Sequence, residues 1–230
     1  MNEYEWEETG VPARYRNIRL DECPQKDAGT IRKFCLGDGT DVCLVTGGNG
    51  TAKTKTMCST FTERELAGLV PGLYLSCKYQ LCPMFRSSRL TNFGMTEYDL
   101  YRKYYEAEYL VIDEYGKGDD GRLERAVVRN ILSARYDRGL LTAVITNFTP
   151  QEIMGDGDYG LGADVRSRFK ETATVLAMDG ADWRCCHTGQ AHTAPVSRNA
   201  SAVRCIICGS PMSESGYCTN KGCVANCGMG

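Results

Sequence analysis

One stretch of the sequence decides the fold: Val42-Cys43-Leu44-Val45-Thr46-Gly47-Gly48-Asn49-Gly50-Thr51-Ala52-Lys53-Thr54. Its first five residues are apolar or β-branched, which is typical of a buried strand. The turn that follows nearly fits the pattern G-x-x-x-x-G-K-[ST], in which glycines let backbone N–H groups point at phosphate oxygens. We therefore expect a strand, a phosphate-binding loop and a helix from about Lys53 to Glu65, whose positive N-terminal end attracts anions.

Each polar residue at the end of this loop has an expected role. Lys53 is placed to neutralise the β and γ phosphates of a nucleotide, and the Thr54 hydroxyl to ligate Mg²⁺. Ala52 departs from the pattern, which has glycine there. Alanine is strained by roughly 1 kcal/mol if this position needs a positive φ, whereas it fits if the position is helical. The alternative interpretation is an ordinary glycine-rich turn with an incidental lysine.

A second motif lies about sixty residues downstream, where the apolar run Tyr109–Ile112 leads into Asp113 and Glu114. Paired carboxylates at the end of a buried strand serve no packing purpose. Asp113 is expected to hold Mg²⁺, directly or through water. Glu114 is placed to activate the attacking water as a general base. The alternative is a solvated strand end.

The remaining pattern predicts an α/β fold with a parallel five-stranded sheet and helices on both faces. Apolar residues at helical spacing mark one helix before the third strand and one after it. In such sheets the ligand binds at the carboxyl ends of the strands. The expected strands are Val42–Thr46, Leu73–Cys77, Tyr109–Ile112, Thr142–Thr146 and Thr174–Met178, and the helical series are Tyr98, Tyr101, Tyr105 and Leu123, Val127, Ile131, Ala134.

Composition limits the class of protein. The 230 residues are 42% hydrophobic and 24% charged, which excludes wholesale disorder, and the net charge of −2 excludes a uniformly basic DNA-coating protein. No apolar run approaches the roughly 20 residues that span a bilayer. The first residues carry four glutamates and no apolar signal segment. We expect a cytoplasmic protein with no membrane partner.

The two motifs together resemble AAA+ ATPases, and more narrowly helicase loaders of the DnaC type and transposition helpers of the IstB type. The resemblance covers about residues 10–186 and opens with Gly10–Asn17, of which Pro12 to Tyr15 would lie near the adenine. It makes residues 47–54 the Walker A motif and Asp113-Glu114 the Walker B motif. The implied ligands are ATP and Mg²⁺.

Three further residues take roles from this resemblance. Asn147, after the fourth strand, would be sensor 1 and bind the γ-phosphate or the attacking water; a plain turn residue is the alternative. Arg168 would be the arginine finger that reaches a neighbouring subunit's nucleotide, with Arg166 as the other candidate. Arg184, in the stretch Gly180–Arg184, would be sensor 2. The alternative for each arginine is an ordinary surface residue with no role at the nucleotide.

A basic and aromatic segment, Lys78–Arg89, lies between the second and third strands. Single-stranded DNA binders pair charges for phosphates with rings for base stacking. Lys78, Arg86 and Arg89 are the DNA-binding candidates, and the family's ring assemblies present a comparable segment to DNA. The alternative is an amphipathic helix with a solvated basic face.

Thirteen cysteines are present, and five of them crowd the last 26 residues. The spacing C-x2-C followed by C-x4-C supplies four thiolates, which suits structural tetrahedral Zn²⁺ rather than disulfides in a reducing compartment. The predicted ligands are Cys205, Cys208, Cys218 and Cys223, with Cys227 as a possible replacement for the last. Cysteines scattered through residues 23–82 are expected to be small buried hydrophobes.

The sequence thus predicts an ATPase domain over residues 1–187, a linker over 188–203 and a zinc ribbon over 204–230. The expected function is ATP hydrolysis in DNA replication. The chain would load a replicative helicase onto single-stranded DNA as an ATP-dependent homo-oligomer in a bacterial cell, encoded there or by a phage or mobile element. A transposition helper on duplex DNA and a nucleotide-gated adaptor with weak hydrolysis are the alternatives.

Overall fold

The computed structural model describes residues 1–23, 27–81, 97–118, 121–157 and 159–178, with side chains from residue 101 in the helix that begins at 97. Several predictions from the sequence lie outside these residues. They are Arg86 and Arg89 of the DNA segment, Arg184, the linker over 188–203, and the zinc candidates Cys205, Cys208, Cys218 and Cys223.

The five expected strands form one parallel sheet in the order β2-β3-β4-β1-β5. This confirms the predicted fold class. Because β4 lies between β1 and β3, it separates the strand of the glycine-rich loop from the strand of the paired carboxylates. The strands are β1 (Val42–Thr46), β2 (Leu73–Ser76), β3 (Tyr109–Tyr115), β4 (Leu141–Thr146) and β5 (Ala173–Ala177).

Helices cover the sheet and connect its strands. The helix predicted after the loop is present as α3, and both helices predicted from apolar spacing are present as α4 and α5. Short 3₁₀ turns at Ala13–Tyr15 and Leu20–Glu22 and a π turn at Cys77–Leu81 complete the described elements. The helices are α1 (Glu3–Thr9), α2 (Ala28–Leu36), α3 (Lys53–Leu66), α4 (Glu97–Glu106), α5 (Gly121–Tyr136), α6 (Pro150–Met154) and α7 (Ala163–Thr172).

The strands are apolar throughout because both faces of the sheet are covered. On β1, Val42 and Leu44 pack in one hydrophobic cluster with α5 and α7. Cys43 and Val45 point the other way and pack with α2 and α3. Cysteines are part of this core: within the described residues, Cys23, Cys35, Cys43, Cys58 and Cys77 are buried free thiols, as the sequence predicts.

The inner face of α5 carries an unexpected charge. Arg135 is fully buried beside the predicted apolar series. Its guanidinium donates to the carbonyl oxygens of Tyr104 and Ala107, both at 2.7 Å, and of Leu141 at 2.8 Å, and to Thr142 Oγ1 at 2.7 Å. These bonds tie the end of α4 to the start of β4.

The described residues contain neither a membrane-spanning helix nor a cluster of metal ligands. No helix among them is both long and apolar enough to cross a bilayer. No group of three or more His, Cys, Asp or Glu side chains in this part of the chain is arranged to hold a metal ion. The cysteines of the predicted zinc site are not in this part.

Candidate functional site

A cleft of about 500 Å³ opens at the carboxyl edge of the sheet. Its walls come from the glycine-rich loop, the ends of β2, β3 and β4, and the segment around the first 3₁₀ turn. The main polar lining residues are Arg14, Asn49, Thr51, Lys53, Thr54, Lys55, Tyr74, Ser76, Asp113, Glu114, Lys117 and Asn147. The cleft therefore brings together the loop, the paired carboxylates and Asn147.

The loop begins at a position that only glycine fits. Gly47 has φ +143°, and a Cβ there would lie 2.2 Å from the carbonyl oxygen of Met178. Met178 directly follows β5, and its backbone N–H donates to Thr46 O at 2.8 Å. Close packing of the β5 end thus fixes the start of the loop, and the side chain must be absent.

Lys53 closes the loop from inside. Its Nζ donates to the carbonyl oxygens of Gly47 at 2.8 Å and Gly48 at 2.6 Å, and the side chain is 7% exposed. The ammonium group is thereby held at the N-terminus of α3, where an anion is favoured. A phosphate bound in the loop would find this charge already in place.

The structure decides the question raised by Ala52. The residue precedes the first turn of α3 and has φ 64° and ψ 16°, in the left-handed region. Glycine is preferred in this conformation because a Cβ is crowded there. Alanine is therefore strained at this position.

Asp113 is a buried carboxylate that accepts three hydrogen bonds. It is 2% exposed, and its Oδ2 accepts from Thr54 Oγ1 at 2.8 Å and from the Tyr74 hydroxyl at 2.7 Å. Its Oδ1 accepts from the backbone N–H of Glu114 at 2.7 Å. Burial raises the pKa of Asp113, and these hydrogen bonds offset part of the rise.

The pair of Thr54 and Asp113 fits a magnesium ion. A hydroxyl and a carboxylate oxygen 2.8 Å apart are the hard oxygen ligands that Mg²⁺ takes, together with phosphate oxygens and water. A cation would also offset the cost of burying the Asp113 carboxylate. The donor set of the cleft therefore suits a nucleotide phosphate with Mg²⁺.

Glu114 lies inside the strand rather than beyond it, which corrects the expected end of β3 at Ile112. The strand continues to Tyr115, with a register shift against β4 between Ile112 and Tyr115. Glu114 has φ 60° there. The shift turns its side chain into the cleft, where its Oε2 accepts a hydrogen bond from Ser76 Oγ at 2.8 Å.

Buried Glu124 of α5 fixes the segment after these carboxylates. It accepts from the backbone N–H groups of Gly116 and, at 2.9 Å, Gly118, and it is 1% exposed. Burial raises its pKa, and the two backbone bonds lower it again in part. The segment carries Lys117, whose Nζ lies 3.5 Å from Asn49 Oδ1.

Asn147 stands where the sequence predicts, directly after β4. Its Nδ2 donates to Asn49 Oδ1 of the loop at 2.7 Å. Two residues further on, α6 begins with a capping box between Thr149 and Glu152. An amide between the loop and Glu114 is suitably placed to bind a γ-phosphate oxygen or a water molecule.

The two arginine-finger candidates lie elsewhere. Neither Arg166 nor Arg168 is among the described residues that line the cleft. Arg168 Nη1 donates to Ser133 O at 3.2 Å, Nη2 is 3.3 Å from an Asp137 carboxylate oxygen, and the guanidinium lies over the Tyr136 ring. Arg166 pairs with Asp156 at 2.8 Å. Arg168 therefore lies at the α5–α7 face, whereas Arg166 faces the end of α6, where it also donates to Met154 O at 3.0 Å.

Of the DNA-binding candidates, only Lys78 belongs to the described residues. It is exposed at the π turn after β2, and its Nζ lies 5.0 Å from the centroid of the Tyr79 ring. Tyr79 is 66% exposed. Its backbone N–H donates to Ser76 Oγ at 3.2 Å, so this basic and aromatic turn adjoins the partner of Glu114.

Sequence reasoning missed Tyr74, Ser76 and Glu124. Tyr74 and Ser76 are polar residues between apolar neighbours, and they donate to the two carboxylates of the cleft. Glu124 holds the segment that follows those carboxylates. Tyr74 and Ser76 alternate on β2, a pattern that indicates one shared face. That pattern was available in the sequence; the partners across strands were not.

Comparison with solved structures identifies the fold. The chain superposes on the DnaC helicase loader with a TM-score of 0.58 and 22% identity, over 73% of this chain and 99% of that one. DnaI gives 0.55 and 15% identity, over 74% of this chain and 93% of that one. The replication initiator DnaA bound to AMPPCP and single-stranded DNA gives 0.54 and 15%, over 74% of this chain and 51% of that one.

The chain therefore shares the α/β fold of the DnaC helicase loader, DnaI and DnaA. At these identities the likeness establishes the fold alone. No family model matches the sequence, and no curated protein matches it significantly.

Proposed function

We propose that this chain is a DNA-associated ATPase of DNA replication that loads a replicative helicase onto single-stranded DNA. One observation carries the ATPase part. Lys53, Thr54, Asp113, Glu114 and Asn147 come from three separate strand ends and meet in one cleft. The replication part is supported by the fold shared with a helicase loader and with an initiator bound to AMPPCP and single-stranded DNA.

Each residue of the cleft has a role in this proposal. Lys53 and the loop N–H groups bind the phosphates, while Thr54 and Asp113 hold Mg²⁺, which supplies charge neutralisation at the phosphates when bound. Glu114 takes the proton from the attacking water, and Asn147 orients that water or the γ-phosphate. Catalysis is mainly positioning and charge stabilisation.

The arginine finger is proposed to act between subunits. Arg168 lies at the α5–α7 face and does not line the cleft of its own chain. In this proposal it acts on the nucleotide bound in the cleft of a neighbouring subunit. Loss of an arginine finger lowers turnover about 10³-fold or more. Hydrolysis is therefore expected to rise with protein concentration, as the homo-oligomer forms.

Mixing two inactive variants tests this arrangement. Arg168→Ala keeps an intact cleft, and Lys53→Ala keeps an intact finger. Their mixture is expected to regain part of the activity that each has lost, because one subunit's finger then serves the other's cleft. Arg166→Ala is the comparison that decides between the two arginines, and a mixture that stays inactive contradicts a finger acting in trans.

The primary experiment is ATP hydrolysis with Mg²⁺, measured alone and with single-stranded or duplex DNA. Glu114→Gln removes the general base and is expected to lower turnover by about 10²–10⁴-fold. Lys53→Ala is expected to abolish ATP binding. Glu108→Gln, at the other end of β3, and exposed Lys33→Ala of α2 are matched controls that should retain activity.

The outcomes separate the proposed functions. Stimulation by single-stranded DNA that both variants abolish supports the helicase-loader proposal. Stimulation by duplex DNA alone would point to a transposition helper instead. Tight ATP binding without turnover under any condition would contradict the ATPase and favour a nucleotide-gated adaptor.

Two further parts of the proposal concern DNA contact and zinc binding. Lys78, Arg86 and Arg89 are proposed to contact single-stranded DNA, and their replacement by alanine should weaken binding and reduce its salt dependence. The zinc ribbon is proposed from cysteine spacing, with Cys205, Cys208, Cys218 and Cys223 as ligands. Metal analysis of the purified chain should find one zinc per chain, and Cys208→Ser should lose it.

A further inference from the structure

Both oxygens of Asp113 are hydrogen-bonded, and one of the donors is a buried phenol. The Tyr74 hydroxyl donates to Oδ2 at 2.7 Å, and Thr54 Oγ1 donates to the same oxygen at 2.8 Å. Tyr74 is 5% exposed and lines the floor of the cleft. One carboxylate oxygen thus joins the start of α3 to β2.

Packing does not require a hydroxyl at position 74. The tyrosine ring belongs to the hydrophobic cluster on the α2–α3 face of the sheet, where phenylalanine would bury the same ring area. A buried hydroxyl costs free energy unless it is hydrogen-bonded. The tyrosine therefore places a donor beneath the site that a phenylalanine of the same shape would lack.

The strand register explains why the hydroxyl reaches this carboxylate. In the parallel pair of β2 and β3, Ser76 lies opposite Asp113 and Tyr74 lies opposite Val111. Residues two apart share a face of the sheet. The longer side chain of Tyr74 spans the two-residue offset to Asp113, while the shorter Ser76 reaches Glu114 at 2.8 Å. β2 therefore supplies a donor to each carboxylate.

We infer that Tyr74 is a positioning residue for the divalent cation at the Thr54–Asp113 pair, an inference that rests on the proposed nucleotide-binding function. The Thr54 hydroxyl donates a hydrogen bond to Asp113 Oδ2, and it must reorient to offer a lone pair to a cation. The Tyr74 hydroxyl is free of that requirement and keeps Oδ2 in place. Partners that orient a metal ligand typically change metal affinity about 10–100-fold.

The test compares two tyrosine-to-phenylalanine variants of the full chain. Tyr74→Phe removes the hydroxyl beneath Asp113. Tyr109→Phe removes an equally buried hydroxyl at the other end of β3, which shares a 2.7 Å hydrogen bond with Thr60. Mg²⁺ is titrated into each protein with a fixed concentration of a fluorescent, non-hydrolysable ATP analogue. Thermal unfolding in EDTA verifies that both variants are folded.

The half-saturating Mg²⁺ concentration is expected to rise about tenfold in Tyr74→Phe and to stay at the wild-type value in Tyr109→Phe. Nucleotide affinity in EDTA should be the same in all three proteins. An Mg²⁺ dependence of Tyr74→Phe within twofold of the Tyr109→Phe control, or a lower half-saturating concentration, would overturn the inference. Failure of the unaltered chain to bind nucleotide would instead contradict the proposed function.

Discussion

Replacing Ala52 by glycine is expected to stabilise the protein while leaving its nucleotide affinity nearly unchanged. Ala52 has φ 64° and ψ 16° before the first turn of α3. Glycine adopts the same left-handed conformation without the crowding of a Cβ, so we expect the substitution to relieve strain in the folded chain and to keep the backbone path of the loop. The substitution therefore measures how much stability the departure from the loop's glycine pattern costs.

Two opposing contributions set the magnitude. An alanine in the left-handed region costs about 1–2 kcal/mol, which glycine relieves. Glycine in turn makes the unfolded chain more flexible, which costs about 0.4–1 kcal/mol. The net change in the free energy of unfolding is a gain of about 0–1.5 kcal/mol. At about 2–4 °C per kcal/mol for a chain of this size, the melting temperature rises by up to about 6 °C.

Ala67 at the other end of α3 provides the matched control. It has φ −82° and ψ 0°, in the right-handed region, so Ala67→Gly carries only the flexibility cost. The two variants should differ by the full left-handed cost, about 1–2 kcal/mol. Thermal and urea unfolding in EDTA measure this difference, and titration with a fluorescent ATP analogue measures affinity.

Two results would refute this reasoning. Equal destabilisation by Ala52→Gly and Ala67→Gly would show that the left-handed conformation carries no strain. A tenfold gain in nucleotide affinity at unchanged stability would show that the strained conformation forms only when nucleotide binds. An affinity within about twofold of the unaltered chain, with the predicted stability difference, confirms that the cost falls on folding.

Three other substitutions test separate features of the fold and the cleft. Arg135→Met leaves buried carbonyl oxygens without donors and should lower the free energy of unfolding, measured by urea denaturation, by about 3 kcal/mol. A loss below about 1 kcal/mol would contradict this expectation. Gly47→Ala puts a Cβ 2.2 Å from a carbonyl oxygen and should abolish ATP binding, whereas Gly48→Ala, with open space around it, should bind. Ser76→Ala frees Glu114 from its hydrogen bond and should raise basal turnover up to about tenfold in a phosphate-release assay; a fall would show that Ser76 holds Glu114 in its productive orientation.

Local pattern was sufficient where a residue's role follows from its neighbours in sequence. The five strands, the helix after the loop and the position of Asn147 were all predicted correctly, because strand and helix periodicity and turn chemistry are short-range properties. Pattern failed at β3, which was expected to end at Ile112. Apolar character stops there, but backbone pairing with β4 continues to Tyr115 through a register shift.

The sequence by itself determined that a phosphate-binding loop, a pair of carboxylates and five buried strands are present. Only the tertiary structure decided how they meet: it places β4 between the two motifs, gives Ala52 a left-handed φ, and directs Tyr74 and Ser76 of β2 to Asp113 and Glu114. The physical reason is that backbone periodicity is encoded within a few residues, whereas hydrogen bonds between strands depend on the order and register of segments that are far apart in the chain.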